Sequence, residues 1–124
     1  MLEYKHQELT GKIIACAYTV FNALGHGFLE KVYQNALAIE LRRVGLNVQV
    51  EAPIEVRYCG EIVGSYVADL LVEGKVIVDI KAGRELAPAH EAQLINYLKA
   101  TGIEIGLLIN FGTSVEVRRK IFTQ

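Results

Sequence analysis

With 124 residues, 52% of them apolar, the chain suits one compact domain, 1–124, with a real core. No apolar run approaches the roughly 18 residues a membrane-spanning helix needs. A net charge of −1 is not the strongly basic balance of a protein that holds nucleic acid by charge alone. The first six residues carry no signal-peptide pattern, so a cytoplasmic location is expected, with Cys16 and Cys59 as free thiols. His6, His26 and His90 are scattered and no cysteine or histidine stands at ligand spacing, so a zinc site is not expected.

Ile13, Ile14, Ala17, Phe21 and Leu24 recur at three- and four-residue spacing and predict an amphipathic helix over about residues 7–24. Gly25-His26-Gly27 breaks it. A second helix is expected over about 29–44, with a stripe of Tyr33, Leu37, Leu41 and Val44, and Gly45 as its cap. Glu30 lies on that stripe, where an acid in a first turn is also favoured by the helix dipole. From Val48 to Tyr58 the period changes to two, a half-buried strand, and Pro53 marks an edge or a bulge. Cys59-Gly60 reads as a turn, Ile62–Val72 as the next strand, and Lys75–Ala82 as a third. Pro88–Thr101 reads as a helix with proline in its first turn and Gly102 closing it. Ile105–Asn110 is a continuous apolar run, the pattern of a buried central strand. Val115–Phe122 is either a last strand or a short helix. The order α-α-β-β-β-α-β-β is that of an α/β fold, a mixed sheet flanked by helices. The helical crossover permits parallel pairing between the third and fourth strands.

The stretch from Asp69 to Lys81 holds the chemistry. Asp69 and Asp79 sit within greasy strands, where an ionised carboxylate is costly unless paired or metal-bound. Side chains alternate along a strand, so Asp79 and Lys81 share a face, and Asp69 shares one with Val67 and Leu71. A two-residue loop at Glu73-Gly74 would turn Asp69 away from Asp79. A three-residue loop, Val72-Glu73-Gly74, would put it on the same face, opposite Ile77 and diagonal to Asp79, and Gly74 suits such a loop. The odd loop, or a bulge of equal effect, is expected. Two carboxylates so placed match the needs of Mg²⁺ or Mn²⁺, with the Ile80 carbonyl as a further oxygen ligand and Lys81 beside the water or phosphate. Gln93 and Tyr97, four apart on one helical face, have polar tips suited to ordering water or phosphate nearby.

These residues together resemble the PD-(D/E)XK nuclease superfamily. Asp69 matches its first acid, Asp79-Ile80-Lys81 its (D/E)-x-K triplet in the Asp form, and Gln93 to Tyr97 the Q-h-x-x-Y motif of its RecB-like branch. Gly27-Phe28-Leu29-Glu30-Lys31-Val32-Tyr33 resembles the G-x-x-E-x-x-Y signature of the small GxxExxY proteins, and Leu107–Gly112 their closing strand. The resemblance implies a restriction-endonuclease-like core, a Mg²⁺- or Mn²⁺-dependent nuclease acting on DNA, metal ligation by Asp69, Asp79 and Ile80, catalytic roles for Lys81 and Gln93, and Glu30 as a helical acid near the metal.

Each residue also has a plainer reading. Tyr33 is expected in the core, Gly25 and Gly27 in a helix–helix turn, and His90 at a helix start rather than in proton transfer. Arg42-Arg43 and Arg118-Arg119-Lys120 read as solvated faces before phosphate contacts. The second functional class is a non-catalytic interaction or regulatory module that kept the fold, with a protein partner or a second copy of the chain. The near-neutral charge favours that class, or a nuclease that needs a partner for DNA affinity; the acid-acid-lysine set favours the nuclease.

Overall fold

Strand and helix follow the change of period in the sequence closely. The computed structural model describes residues 5–123. The elements are α1 (Gln7–Leu24), α2 (Glu30–Arg43), β1 (Val48–Tyr58), β2 (Glu61–Val72), β3 (Val76–Lys81), α3 (Pro88–Thr101), β4 (Ile105–Phe111) and β5 (Val115–Ile121). The last segment is therefore a strand, and the α/β order stands as expected. The sheet order is β1-β2-β3-β4-β5, with β3 and β4 parallel and every other pair antiparallel. Helix α3 is the crossover that parallel pairing demands.

Helices cover both faces. On one, α1 and α2 bury Ile13, Ala17, Leu37 and Leu41 against Leu70, Val78, Ile80 and Leu107. On the other, α3 lays Leu94, Tyr97 and Leu98 over Ala52, Ile54, Ala68 and Leu108. β4, between the two layers, is buried along its whole length, which explains its unbroken apolar run. In α2, Glu30 in the first turn and Arg42 and Arg43 in the last complement the helix dipole. Glu30 is exposed, not buried as its place on the Tyr33 stripe suggested, because that stripe runs off the packed surface at the helix end. His90 caps α3: its Nδ1 accepts from the Ala87 N–H at 3.2 Å. Both cysteines are free, Cys16 buried and Cys59 exposed. Among the described residues, no helix is long and apolar enough to cross a membrane.

One irregularity positions the site. Ala52 and Ala68 pair and pack towards α3, whereas Val50 and Leu70, the next pair along, pack towards α1 and α2. The inward face changes at Glu51 and Asp69, and Glu51 takes the left-handed φ of 54°. Regular alternation through Val50 and Ala52 would have kept both on one face. The same break puts Val67 and Leu71 on opposite faces, so Asp69 cannot share a face with both.

Candidate active site

Asp69 and Asp79 stand where β2 and β3 part. The ladder between these strands comprises Val72 with Val76, Leu71 with Ile77, and Leu70 with Val78. Three residues connect them, but they are Glu73, Gly74 and Lys75, not Val72, Glu73 and Gly74. Glu73 and Gly74 take φ of 55° and 64°, and the Lys75 N–H donates to the Val72 carbonyl at 3.0 Å. Val72 thus stays in the core, and Lys75 is the residue left out. The loop is odd as expected, yet the register moves: the ladder ends at Leu70 and Val78, so Asp69 and Asp79 follow as neighbours across the fork and not as a diagonal pair.

Past Leu70 and Val78 the carboxylates take over from the backbone ladder. The Ile80 N–H donates to Asp69 Oδ2 at 2.7 Å, and the Asp69 N–H donates to Asp79 Oδ1 at 3.3 Å. Each aspartate therefore satisfies a main-chain donor of the opposing strand and props the fork open. Asp79 is only 4% exposed, and its Oδ2 is buried without a partner. Desolvation first, and then the charge of Asp69, push the Asp79 carboxyl up to about 6. Burial raises Asp69 as well, against the pull of the Ile80 N–H and of Lys81.

Lys81, half-buried at the end of β3, bears on both carboxyls and draws them down. Glu30 acts on both in the opposite sense. It is close enough to be felt, but among the described residues no three His, Cys, Asp or Glu side chains form a metal-binding group. The aspartates stand as a pair. The N-terminus of α2 is fixed beside them by Lys31, which bridges to Glu51 at 2.7 Å, and by Tyr33. The Tyr33 hydroxyl donates to the Gly25 carbonyl at 2.6 Å and accepts from the Phe28 N–H at 3.4 Å. Its ring stacks on Phe111 with centroids 4.5 Å apart. Tyr33 is thus a buried anchor for the Gly25–Phe28 turn.

On the α3 side, Tyr97 is buried, with its ring 5.8 Å from that of Tyr66. Burial, then the charges of Asp79 and Asp69, push its phenol up, so the ring lies within electrostatic reach of the pair. Gln93, one turn earlier, is exposed and lines an open groove with Asn96 and Tyr66.

Asn110 went unrecognised in the sequence. It is 1% exposed and pairs in register with Lys81. Its side chain accepts from the Gly83 N–H and donates to the Gly83 carbonyl, each at 3.0 Å. That clamp fixes the chain as it leaves Lys81. Gly112 completes it, since a Cβ there would stand 2.7 Å from the Gly83 oxygen. The signals were a polar residue ending an apolar run and its place in the Leu107–Gly112 segment.

The sequence model of the PD-(D/E)XK nuclease superfamily matches residues 7–120. The chain belongs to that superfamily. Among solved structures, the fold is similar to the crystal structure of SSO0001, with a TM-score of 0.61, 20% identity, and 98% of this chain covered. The match covers 62% of the SSO0001 chain, so this chain spans under two thirds of its length. At that identity the likeness concerns the fold. No curated protein matches the sequence. The divalent metal that PD-(D/E)XK nucleases use fits the residues present. Two opposed carboxylates, one with an unpartnered buried oxygen, offer hard ligands and a local repulsion that a cation relieves.

Proposed function

We propose that this PD-(D/E)XK protein is a metal-dependent nuclease that hydrolyses phosphodiester bonds in DNA, of the GxxExxY type, acting as a single domain in the cytoplasm. The observation that carries the reading is the unpartnered, buried Oδ2 of Asp79 opposite Asp69, with Lys81 one step along the same strand face. Asp69, Asp79 and the Ile80 carbonyl would hold Mg²⁺ or Mn²⁺. The chemistry such an ion supplies is polarisation of a phosphoryl oxygen and acidification of water. Lys81 offsets charge on the phosphate and orients water beside it. Gln93 holds the phosphate from the α3 side. Glu30 acts through water at the edge of the site, in keeping with its exposure and with the lack of a three-carboxylate group among the described residues. The G-x-x-E-x-x-Y segment serves the site indirectly, because Tyr33 fixes the turn that starts α2.

The test is cleavage of single-stranded, nicked and branched DNA with Mg²⁺ and Mn²⁺, comparing the wild type with Asp79→Ala and Lys81→Ala. Metal-dependent cleavage lost in both variants is the expected result. Equal cleavage by all three proteins would mean a contaminating enzyme. A second reading, an interaction module that keeps the nuclease fold, is favoured by the net charge of −1. Metal binding without turnover on any of these substrates would put it first.

A further inference from the structure

The groove between α3 and the β1–β2 hairpin is larger than a small-molecule site. Its volume is about 1190 Å³, against the roughly 300–1,000 Å³ typical of small-ligand pockets. Its floor is aromatic: Tyr66, 50% exposed, lies beside the buried Tyr97. Its walls carry Gln93 and Asn96 on one side and Arg57 on the other. Among the described residues Arg57 is held by an exposed pair with Glu55 and by the Gly60 carbonyl, contacts that a phosphate can displace at little cost. The groove borders the site already described: Gln93 and Tyr97 line it, and Asp69 follows Tyr66 three residues on in β2.

Gly64 makes the aromatic floor accessible. It stands in β2 opposite Val56, beside the register shift between Val56 and Arg57, where a glycine adds no side chain to the sheet surface. A Cβ at Gly64 would lie 3.4 Å from Tyr66 Cε2 and 3.8 Å from Val56 Cβ. Any larger side chain would therefore spread over the Tyr66 ring. Glycine leaves that ring open.

We propose that this groove seats an unpaired stretch of nucleic acid leading into the carboxylate site, with a base stacked on Tyr66 and its backbone passing Arg57. The proposal rests on the nuclease reading for the direction of the strand and extends it to a substrate class. A duplex keeps its bases stacked on one another and cannot offer a face to Tyr66, whereas a single strand can. A net charge of −1 likewise gives little hold on a duplex backbone and leaves stacking as the larger contribution.

The experiment is fluorescence anisotropy with a labelled oligodeoxynucleotide of about 12 nucleotides, single-stranded or as duplex. It is run in calcium buffer on the wild type, Tyr66→Ala, Tyr66→Phe and Gly64→Val. Gly64→Val suits a strand and its Cβ makes only ordinary contacts, so it keeps the test valid if Tyr66→Ala folds poorly. The single strand should bind more tightly than the duplex. Tyr66→Ala and Gly64→Val should each weaken single-strand binding about five- to hundredfold, and Tyr66→Phe should not. Three outcomes overturn the proposal: no single-strand binding by the wild type, unchanged binding by Gly64→Val, or self-association that Gly64→Val abolishes while DNA affinity stays the same. The last would assign the groove to a second copy of the chain. Cleavage that needs Asp79, alongside unchanged binding by Gly64→Val, removes the groove proposal alone. Groove-dependent binding with no metal-dependent cleavage removes the nuclease reading alone.

Discussion

The Asp79 carboxyl is held at a cost that sets its own pH dependence. Its value is raised from 3.8 to about 6 in the fold. Below about pH 4 it is protonated in folded and unfolded chains alike and contributes nothing. As pH rises towards 6 the unfolded chain ionises first and the fold loses stability. Above that the penalty is constant, on the order of 3 kcal/mol. Metal-free protein should therefore lose stability between about pH 4 and pH 6 through this group, and Asp79→Asn should flatten the profile and melt higher than the wild type at pH 7. Thermal melts across that range read both effects; parallel profiles for the two proteins would contradict the burial argument. Mg²⁺ should raise the wild-type melting temperature at pH 7 by ligand linkage and lose its effect as pH falls through about 6, where protons compete for the same oxygens. Asp79→Ala should lose most of the metal response at every pH. Lys81→Ala should keep it while losing cleavage, because a cationic side chain does not ligate a cation.

Elements were more legible than their joints. The three helices and the first four strands followed from the period, and the crossover allowed the parallel pairing of β3 and β4. An odd, three-residue loop between β2 and β3 followed as well. The one-residue slip of that loop did not follow: Glu73 in a left-handed conformation is a position the sequence gives to glycine by default. The change of face at Glu51 and Asp69 was hidden by a regular Val50–Ala52–Ile54 alternation. Asn110 was hidden at the end of an apolar run, since a buried amide is told from a surface one only by its partner. That partner makes it testable. Asn110→Ala removes both bonds to Gly83, a cost of about 1–3 kcal/mol at roughly 0.5–1.5 kcal/mol per bond. It should lower the rate more than the metal affinity, because it frees the chain after Lys81. Chemical denaturation with parallel metal titration separates the two, and equal losses in both would assign Asn110 to the fold alone. Tyr33→Phe should cost a similar amount by leaving the Gly25 carbonyl without its donor.

Charge sets how the whole molecule meets its substrate. Lys+Arg number 13 against 14 Asp+Glu, and much of the basic surface is already paired. Near the aspartates the cations are Lys81 and Lys31, with Arg57 further along the groove. Only about two or three phosphates are then neutralised on binding, and with a slope of roughly −0.7 per phosphate for single strands the affinity should fall about tenfold between roughly 50 and 200 mM salt. A protein gripping DNA through a broad basic face would lose several powers of ten over the same range. The slope of log affinity against log salt, measured with the single-stranded probe, checks this directly. Arg57→Ala should reduce that slope by the share of one phosphate and leave the stacking contribution of Tyr66 intact. A steep slope that Arg57→Ala does not touch would place the contacts on the Arg118–Lys120 end of β5 instead, on a path that does not lead through the groove.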